Sequence, residues 1–325
     1  MLNPKLSLII ATYNIRNYIG ECLKSCLNQV DVSQDEYEII VVNDGSTDDS
    51  PSIVEQIIAD HSNVRLLNKP NGGLSDARNY GLSFANGEYV WFIDGDDIIT
   101  ANAVSTILDS IKTKAQVYMI DYKELYPDGS MKIITFGSSR LPNNIFNACE
   151  LIATEKIPFP PMMAWLQIQN RQFILDHELQ FLKGVKSEDL EYTAKLFSVA
   201  NRVSHIKKPL YFYRQNRSGS IINELNNDTL WIKNLLNICL SVSDYLFNRD
   251  ASDKYTKKIL AVLASMVIHN LYKQDVNEYN NSRKLIKQTG FDIYKMLMNG
   301  DDFKFKFKAL LYRYTTYKIA RHFFK

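Results

Sequence analysis

The chain of 325 residues is 46% hydrophobic and 23% charged, an ordinary globular composition that excludes a disordered or fibrous protein and leaves room for one large domain and a smaller one. The net charge of +2 hides an asymmetry: residues 226–325 carry 17 Lys and Arg against 9 acids, which leaves that end at +8 and residues 1–225 at −6. A basic end on an acidic body points to an anionic surface as partner and does not bear on fold. The four cysteines, Cys22, Cys26, Cys149 and Cys239, form no CxxC pair, which reads as reduced core thiols rather than a disulfide framework. No stretch reaches the roughly 18 apolar residues of a spanning helix and no leader peptide is visible, so the expectation is a cytoplasmic protein, neither secreted nor integral to the membrane.

In chain order, Leu6 to Ala11 is an apolar strand that ends in Thr12-Tyr13-Asn14. Asn17 is placed to cap a helix whose Ile19, Cys22, Leu23, Cys26 and Leu27 keep the i, i+3, i+4 spacing. Glu38 to Asn43 predicts a second strand, followed by Asp44-Gly45-Ser46-Thr47-Asp48 and a helix with Pro51 in its first turn. Val64 to Leu67 is a short strand, Asn71-Gly72-Gly73 a turn, and Ser75 the expected cap of a helix through Ala77, Arg78, Gly81 and Phe84 that closes at Asn86-Gly87. Tyr89 to Ile93 then reads as a strand buried on both faces, and a helix follows through Val104, Ile107, Leu108 and Ile111. Strands alternating with helices imply a mostly parallel sheet with right-handed crossovers. Past Val117 to Tyr122 the pattern changes to a hairpin around Pro127-Asp128-Gly129, and Pro158 to Pro161 reads as a loop. From about residue 228 the sets Trp231, Leu235, Ile238, Cys239, Val242 and Ile259, Leu260, Leu263, Met266, Val267 predict amphipathic helices of a small C-terminal helical domain.

The strand Tyr89 to Ile93 stops in Asp94-Gly95-Asp96-Asp97. Acids clustered at the carboxyl end of a parallel strand repel one another unless a cation or a donor-rich ligand joins them, and that sheet edge is where ligands bind in open α/β folds. Mg2+ binds through one or two carboxylates plus substrate phosphates, so the cluster suggests a metal-bound phosphorylated ligand. The plainer reading is a solvated acidic turn. Asp44-Gly45-Ser46-Thr47-Asp48 alone is a weak signal, because such residues serve turns and caps. Arg78, taken by itself, reads as a helix-surface cation paired with Asp76 or Glu88.

Together these blocks say more. Ser7-Leu8-Ile9-Ile10-Ala11-Thr12-Tyr13-Asn14, Val41-Val42-Asn43-Asp44-Gly45-Ser46-Thr47-Asp48, Asn71-Gly72-Gly73-Leu74-Ser75-Asp76-Ala77-Arg78-Asn79 and Phe92-Ile93-Asp94-Gly95-Asp96-Asp97 resemble, in order and spacing, the blocks of the family 2 glycosyltransferases over roughly residues 5 to 220. The resemblance implies the GT-A fold, a Rossmann-like, nucleotide-sugar-binding α/β sheet over residues 1–225, followed by a helical region over 226–325. It also implies inverting transfer of a hexosyl or N-acetylhexosaminyl group from a UDP-sugar. The acceptor it implies is a glycan or lipid-linked glycan of a surface polysaccharide. Carried over by position, Thr12, Tyr13, Asp44, Arg78, Asp94 and Gly95 would contact the donor, and Asp96 with Asp94 would bind Mg2+ or Mn2+. Ser187-Glu188-Asp189 matches the family's acidic pair at a helix start, which makes Asp189 the candidate base and Glu188 the next. Asp97 receives no fixed role. In Leu210 to Ser220, Arg217 and Ser220 are candidates for the diphosphate. Trp165-Leu166-Gln167 departs from the family by lacking a cation at its third position. A catalytically silent nucleotide-binding scaffold and a nucleotidyltransferase are the alternatives, the latter without its glycine-rich basic loop here. No nucleic-acid motif accompanies the basic end.

From Phe303 onward there are seven Lys or Arg and no acid. On a helix Phe303, Phe307, Leu310, Leu311, Tyr314 and Tyr317 share one face, the composition of an interfacial helix on an anionic membrane, with packing on the helical domain as the alternative. The expectation is therefore a protein that is peripheral on the inner face of the cell membrane through residues 303–325.

Overall fold

The structure, a computed structural model, describes residues 4–135, 141–142, 144–153, 162–216, 229–249, 252–300, 303–314, 317, 320 and 323. The first half alternates as the hydrophobic pattern requires: β1 (Leu6–Thr12), α1 (Ile19–Leu27), β2 (Tyr37–Asn43), α2 (Ser50–Ile58), β3 (Val64–Asn68), α3 (Leu74–Phe84) and β4 (Tyr89–Asp94). β5 (Ile98–Ile99), α4 (Ala103–Ile111), β6 (Val117–Leu125), β7 (Met131–Ile134), α5 (Ala148–Ala153), β8 (Gln167–Asn170), α6 (Arg171–Asp176), α7 (Glu188–Val199) and β9 (Val203–Arg214) follow.

The sheet runs β3-β2-β1-β4-β8-β6-β9-β5, with β7 on the side of β6. β3, β2, β1 and β4 are mutually parallel. β8 is antiparallel to both β4 and β6, and β9 is parallel to β6. The six longest strands therefore point one way, and their carboxyl ends face one edge. β1, β2 and the apolar part of β4 are buried throughout, as expected of parallel strands with helices on both faces. The predicted hairpin is the β6–β7 turn, where Tyr126 N–H donates to Ser130 O at 3.0 Å and Gly129 takes φ 81°.

Two expected caps are corrected. α1 starts at Ile19 without a side-chain cap, and its first turn is tied by Tyr18 and Ile19 N–H to Ile15 O, so Asn17 is not its cap. α3 starts at Leu74 after Gly73 in a left-handed conformation (φ 87°). Ser75 lies inside that helix and its hydroxyl donates to Leu182 O at 2.8 Å. The loop expected at Pro158 to Pro161 lies outside the described residues.

The C-terminal part is helical, as its periodicity predicts: α8 (Thr229–Asn248), α9 (Asp253–Lys273), α10 (Val276–Thr289), α11 (Ile293–Asn299) and α12 (Phe303–Tyr314). Its buried residues and those of one sheet face form one continuous apolar cluster. On α12 the expected single apolar face divides. Leu311 is buried and Tyr317 packs on the cluster, whereas Phe303, Phe307 and Leu310 are 78%, 40% and 46% exposed. Position 310 is turned by about 100° from 311 on a helix, which is enough to put one in the core and its neighbour in solvent. Among the described residues no helix is long and apolar enough to cross a membrane.

Candidate active site

The ends of β1 and β2 are laced together before any ligand is considered. Asp44 N–H donates to Thr12 O at 2.9 Å. Asn14, at φ 51°, uses its amide oxygen to accept from Thr47 N and Thr47 Oγ1, and its own N–H donates to Ser46 Oγ. An Asn tolerates that left-handed backbone better than most residues. Asp44 is 2% exposed, and its carboxylate accepts from Lys69 Nζ at 2.5 Å, Gly72 N at 3.0 Å and Gly73 N at 2.7 Å. Asp44 therefore shapes the loop before α3, and any donor contact must use the remaining lone-pair capacity. Tyr13 is 48% exposed at this edge, while Thr12 is 1% exposed and its hydroxyl has no hydrogen-bond partner among the described residues. The Thr12 hydroxyl faces Gly95: a Cβ there would lie 3.4 Å from Oγ1 and 2.7 Å from Ala11 O. Only glycine lets the end of β4 approach β1 this closely.

The acids of β4 separate by role. Asp97 is 1% exposed; it accepts from Tyr211 OH at 2.8 Å and Arg214 N at 2.7 Å, so it fastens β9 to the end of β4. Arg214 extends the clamp, donating Nε to Asp96 O at 2.9 Å and Nη2 to Glu21 at 2.8 Å. Asp94 Oδ1 accepts from Arg78 Nη2 at 2.7 Å. The acids at this edge that could ligate a cation are Asp96 and Asp94, and among the described residues no group of three or more His, Cys, Asp or Glu could hold one. That set fits Mg2+ or Mn2+ bound by one or two carboxylates and completed by phosphate oxygens.

Arg78 is where the structure departs furthest from the isolated residue. It is not a surface cation paired with Asp76 or Glu88: its side chain is 2% exposed. Its Nη1 donates to Glu188 Oε1 at 2.7 Å and Asp189 Oδ1 at 2.6 Å, its Nη2 to Asp94, and its guanidinium stands 5.0 Å from the Phe181 ring centre. One cation thus joins the acid at the end of β4 to both acids at the start of α7. Asp189 Oδ2 also accepts from Ala164 N at 3.1 Å.

The electrostatics follow from this packing. Burial pushes the Asp189 carboxyl up to about 7; Arg78 pulls it down, and the charges of Glu188 and Asp94 push it up again. A carboxyl near neutrality is suited to general base work. Burial, then the charges of Asp96 and Asp94, raises Asp97 well above the usual carboxylate range. Burial, then Asp97, Asp94 and Asp96, pushes the Tyr213 phenol up to about 12, which places it in the field of the acid cluster.

Thr12, Tyr13, Asp44, Gly95 and the three acids at and just past the end of β4 therefore lie along one sheet edge, and Arg78 brings Asp189 to it. Arg217 and Ser220 lie outside the described residues. Gln167, where a cation was missed, is a fully buried strand residue whose amide donates to Thr193 Oγ1 at 3.2 Å; a lysine there would have to be buried. The sequence reading gave no role to Tyr211, Tyr213 or Arg214, although Tyr-x-Tyr-Arg closing a strand was a usable signal.

Residues 7–142 match the family described as Glycosyl transferase family 2. The chain is 30% identical over 227 residues to the putative glycosyltransferase EpsH of Bacillus subtilis, covering 68% of this chain and 64% of EpsH, so it spans just under two thirds of that relative. It is 27% identical over 307 residues to glycosyltransferase GlyG of Streptococcus pneumoniae, 90% of this chain and 94% of GlyG. Among solved structures, S. aureus TarS 1-349 in complex with UDP-GlcNAc superposes with a TM-score of 0.71 at 22% identity, over 91% of this chain and 81% of TarS. That likeness concerns the fold.

Proposed function

Because this chain belongs, through residues 7–142, to the family 2 glycosyltransferases, we propose that it transfers a sugar from a UDP-sugar to a glycan hydroxyl by single displacement with inversion. The observation that carries the reading is the Arg78 hub: hydrogen bonds of 2.6 to 2.7 Å from one buried guanidinium hold Asp94, Glu188 and Asp189. The strand-end acids, which suit a diphosphate and its cation, and the candidate base are thereby kept in fixed register, and holding reactants in such register is itself a large part of catalysis.

In this reading Tyr13 and Thr12 receive the nucleoside at the end of β1, with Asp44 behind them, and Gly95 holds the end of β4 close against β1 beneath the donor. Asp189 takes the proton of the acceptor hydroxyl as its oxygen bonds to the anomeric carbon. The bond from that carbon to the diphosphate breaks, and UDP leaves with the electron pair. Asp96 with Asp94 would hold Mg2+ or Mn2+, which when bound neutralises charge growing on the leaving diphosphate. TarS was solved with UDP-GlcNAc, and that supports a UDP-sugar here.

The acceptor in this proposal is lipid-linked. Phe303, Phe307, Leu310 and Phe323 are exposed, and the Phe307 ring centre lies 6.4 Å from that of Phe303 and 5.7 Å from that of Phe323. Exposed Lys304, Lys306 and Arg313 stand beside them. Apolar burial and attraction to anionic headgroups add in such a strip. The test of the catalytic reading is a screen of UDP-glucose, UDP-galactose and UDP-GlcNAc for UDP release with Mn2+. No binding and no release with any nucleotide sugar would defeat it.

A further inference from the structure

Beside the acid cluster stands a group of rings to which the reaction above assigns no work. Trp165 stacks on Tyr211 with ring centres 4.4 Å apart and planes 9° from parallel. It stacks on Tyr213 at 5.2 Å and 30°, and meets Tyr122 edge to face at 5.0 Å and 82°. Trp165 is 2% exposed and Tyr211 is fully buried, so these two form the floor. Tyr122, in the second half of β6, and Tyr213, next to the last residue of β9, remain partly exposed.

The group is registered to the chemistry from both sides. Ala164, the residue before Trp165, donates its N–H to Asp189 Oδ2 at 3.1 Å, and the Trp165 carbonyl is fixed by Trp91 Nε1 at 2.7 Å. On the other side Tyr211 OH donates to Asp97 and accepts from Asp94 N at 3.1 Å. The rings thus lie between the candidate base and the acids of β4. Tyr122 and Tyr213 pack on the core with part of their surface and leave the rest open to solvent. A ligand that offers an apolar face of C–H bonds together with a rim of hydroxyls fits such rings, because ligand sites combine aromatic walls with a few placed polar groups.

We propose that Tyr213, backed by Trp165, is the platform on which the acceptor sugar ring lies when its hydroxyl meets Asp189, with Tyr122, whose ring stands at 71° to that of Tyr213, as its side wall. The proposal rests on the glycosyl-transfer reading and adds to it where the acceptor binds and by which surface. The platform selects for a pyranose with one face free of axial hydroxyls. The opposite end of the sheet edge, near Tyr13, is left to the nucleoside.

The test uses the full chain with UDP and Mn2+. Saturation-transfer NMR with methyl β-glucoside, methyl β-galactoside and methyl β-N-acetylglucosaminide should give the strongest transfer to the C–H protons of one sugar face in at least one of them. Tyr213→Ala should abolish that transfer and raise the acceptor KM by about tenfold, the scale of one lost stacking contact. UDP affinity and UDP-sugar hydrolysis without acceptor should stay at wild-type level, which also shows that the variant is folded. Tyr213→Phe keeps the ring and should retain both transfer and KM within about twofold, and Tyr122→Ala should move KM in the same direction as Tyr213→Ala. Weakened UDP binding in Tyr213→Ala would overturn the proposal, since the ring would then serve the nucleoside. A Tyr213→Phe variant as impaired as Tyr213→Ala, or no saturation of any glycoside while UDP is bound, would overturn it as well. Failure of the wild-type protein to bind UDP would instead defeat the underlying reading of the function.

Discussion

Replacing Arg78 with methionine removes the charge while keeping most of the side-chain volume, and the structure sets the size of the effect. Three carboxylates lose hydrogen bonds of 2.6 to 2.7 Å to a side chain that is 2% exposed, and Glu188, only 7% exposed, is left facing Asp189 with no cation between them. Breaking a buried ion pair by removing one partner costs about 3–5 kcal/mol. With a total stability of about 5–15 kcal/mol the variant should remain folded. At about 2 °C per kcal/mol for a large chain, its Tm should fall by roughly 6–10 °C in a thermal melt followed by circular dichroism. The same change acts on the chemistry. Burial holds the Asp189 carboxyl at about 7 against the opposing pull of Arg78, so without that pull its ionisation moves to higher pH. The pH profile of donor turnover should rise through about 7 in the wild type and at distinctly higher pH in the variant. Arg78→Lys should recover only part of either effect, because an ammonium cannot span three carboxylates as a planar fork does. An Arg78→Met variant with wild-type Tm and an unmoved pH profile would refute the hub as the element that holds these acids.

The remaining predictions are more local. Asp189→Asn should keep donor affinity and lose transfer by about 10²- to 10⁴-fold; normal transfer with poor donor binding would make Asp189 structural and move attention to Glu188. Because the folded-state pKa of Asp189 is raised to about 7, its contribution to stability is complete below the unfolded carboxyl value of about 3.9 and is lost as pH rises through about 7. Asp189→Asn should accordingly flatten the dependence of chemical-denaturation midpoints on pH over that window. Chelation should abolish turnover, and Asp96→Ala should lower it by orders of magnitude; full activity in EDTA would exclude the metal assignment. Asp97→Ala should act on stability, since Tyr211 OH and Arg214 N lose their acceptor, at about 1–3 kcal/mol for each group left unsatisfied; an unchanged melting curve would contradict the clamp. Replacing Phe303, Phe307 and Leu310 with serine should leave the far-ultraviolet spectrum intact and weaken sedimentation with vesicles containing phosphatidylglycerol. Equal vesicle binding by both proteins would rule out that strip as the membrane contact.

Local pattern carried a large share of this. The buried runs of β1, β2 and β4, each followed by a polar turn and an amphipathic helix, fixed a parallel sheet, because a strand covered on both faces must be apolar throughout and a parallel return needs a crossover. That alone put Thr12, Asp44 and Asp94 at one edge, and the blocks around them pointed to the family. Sequence spacing could not assign partners across the chain. Arg78 and Asp189 are 111 positions apart, and only the fold that brings the Arg78 side chain to the start of α7 turned a supposed surface cation into a buried link between acid cluster and base. The same holds for Asp97 and Tyr211, 114 positions apart: which of three neighbouring acids is spent on structure depends on what β9 brings to it. On α12 the periodicity gave the helix, but which of its apolar residues stay in solvent was decided by where the helix rests on the core, a property of the neighbouring helices rather than of its own sequence.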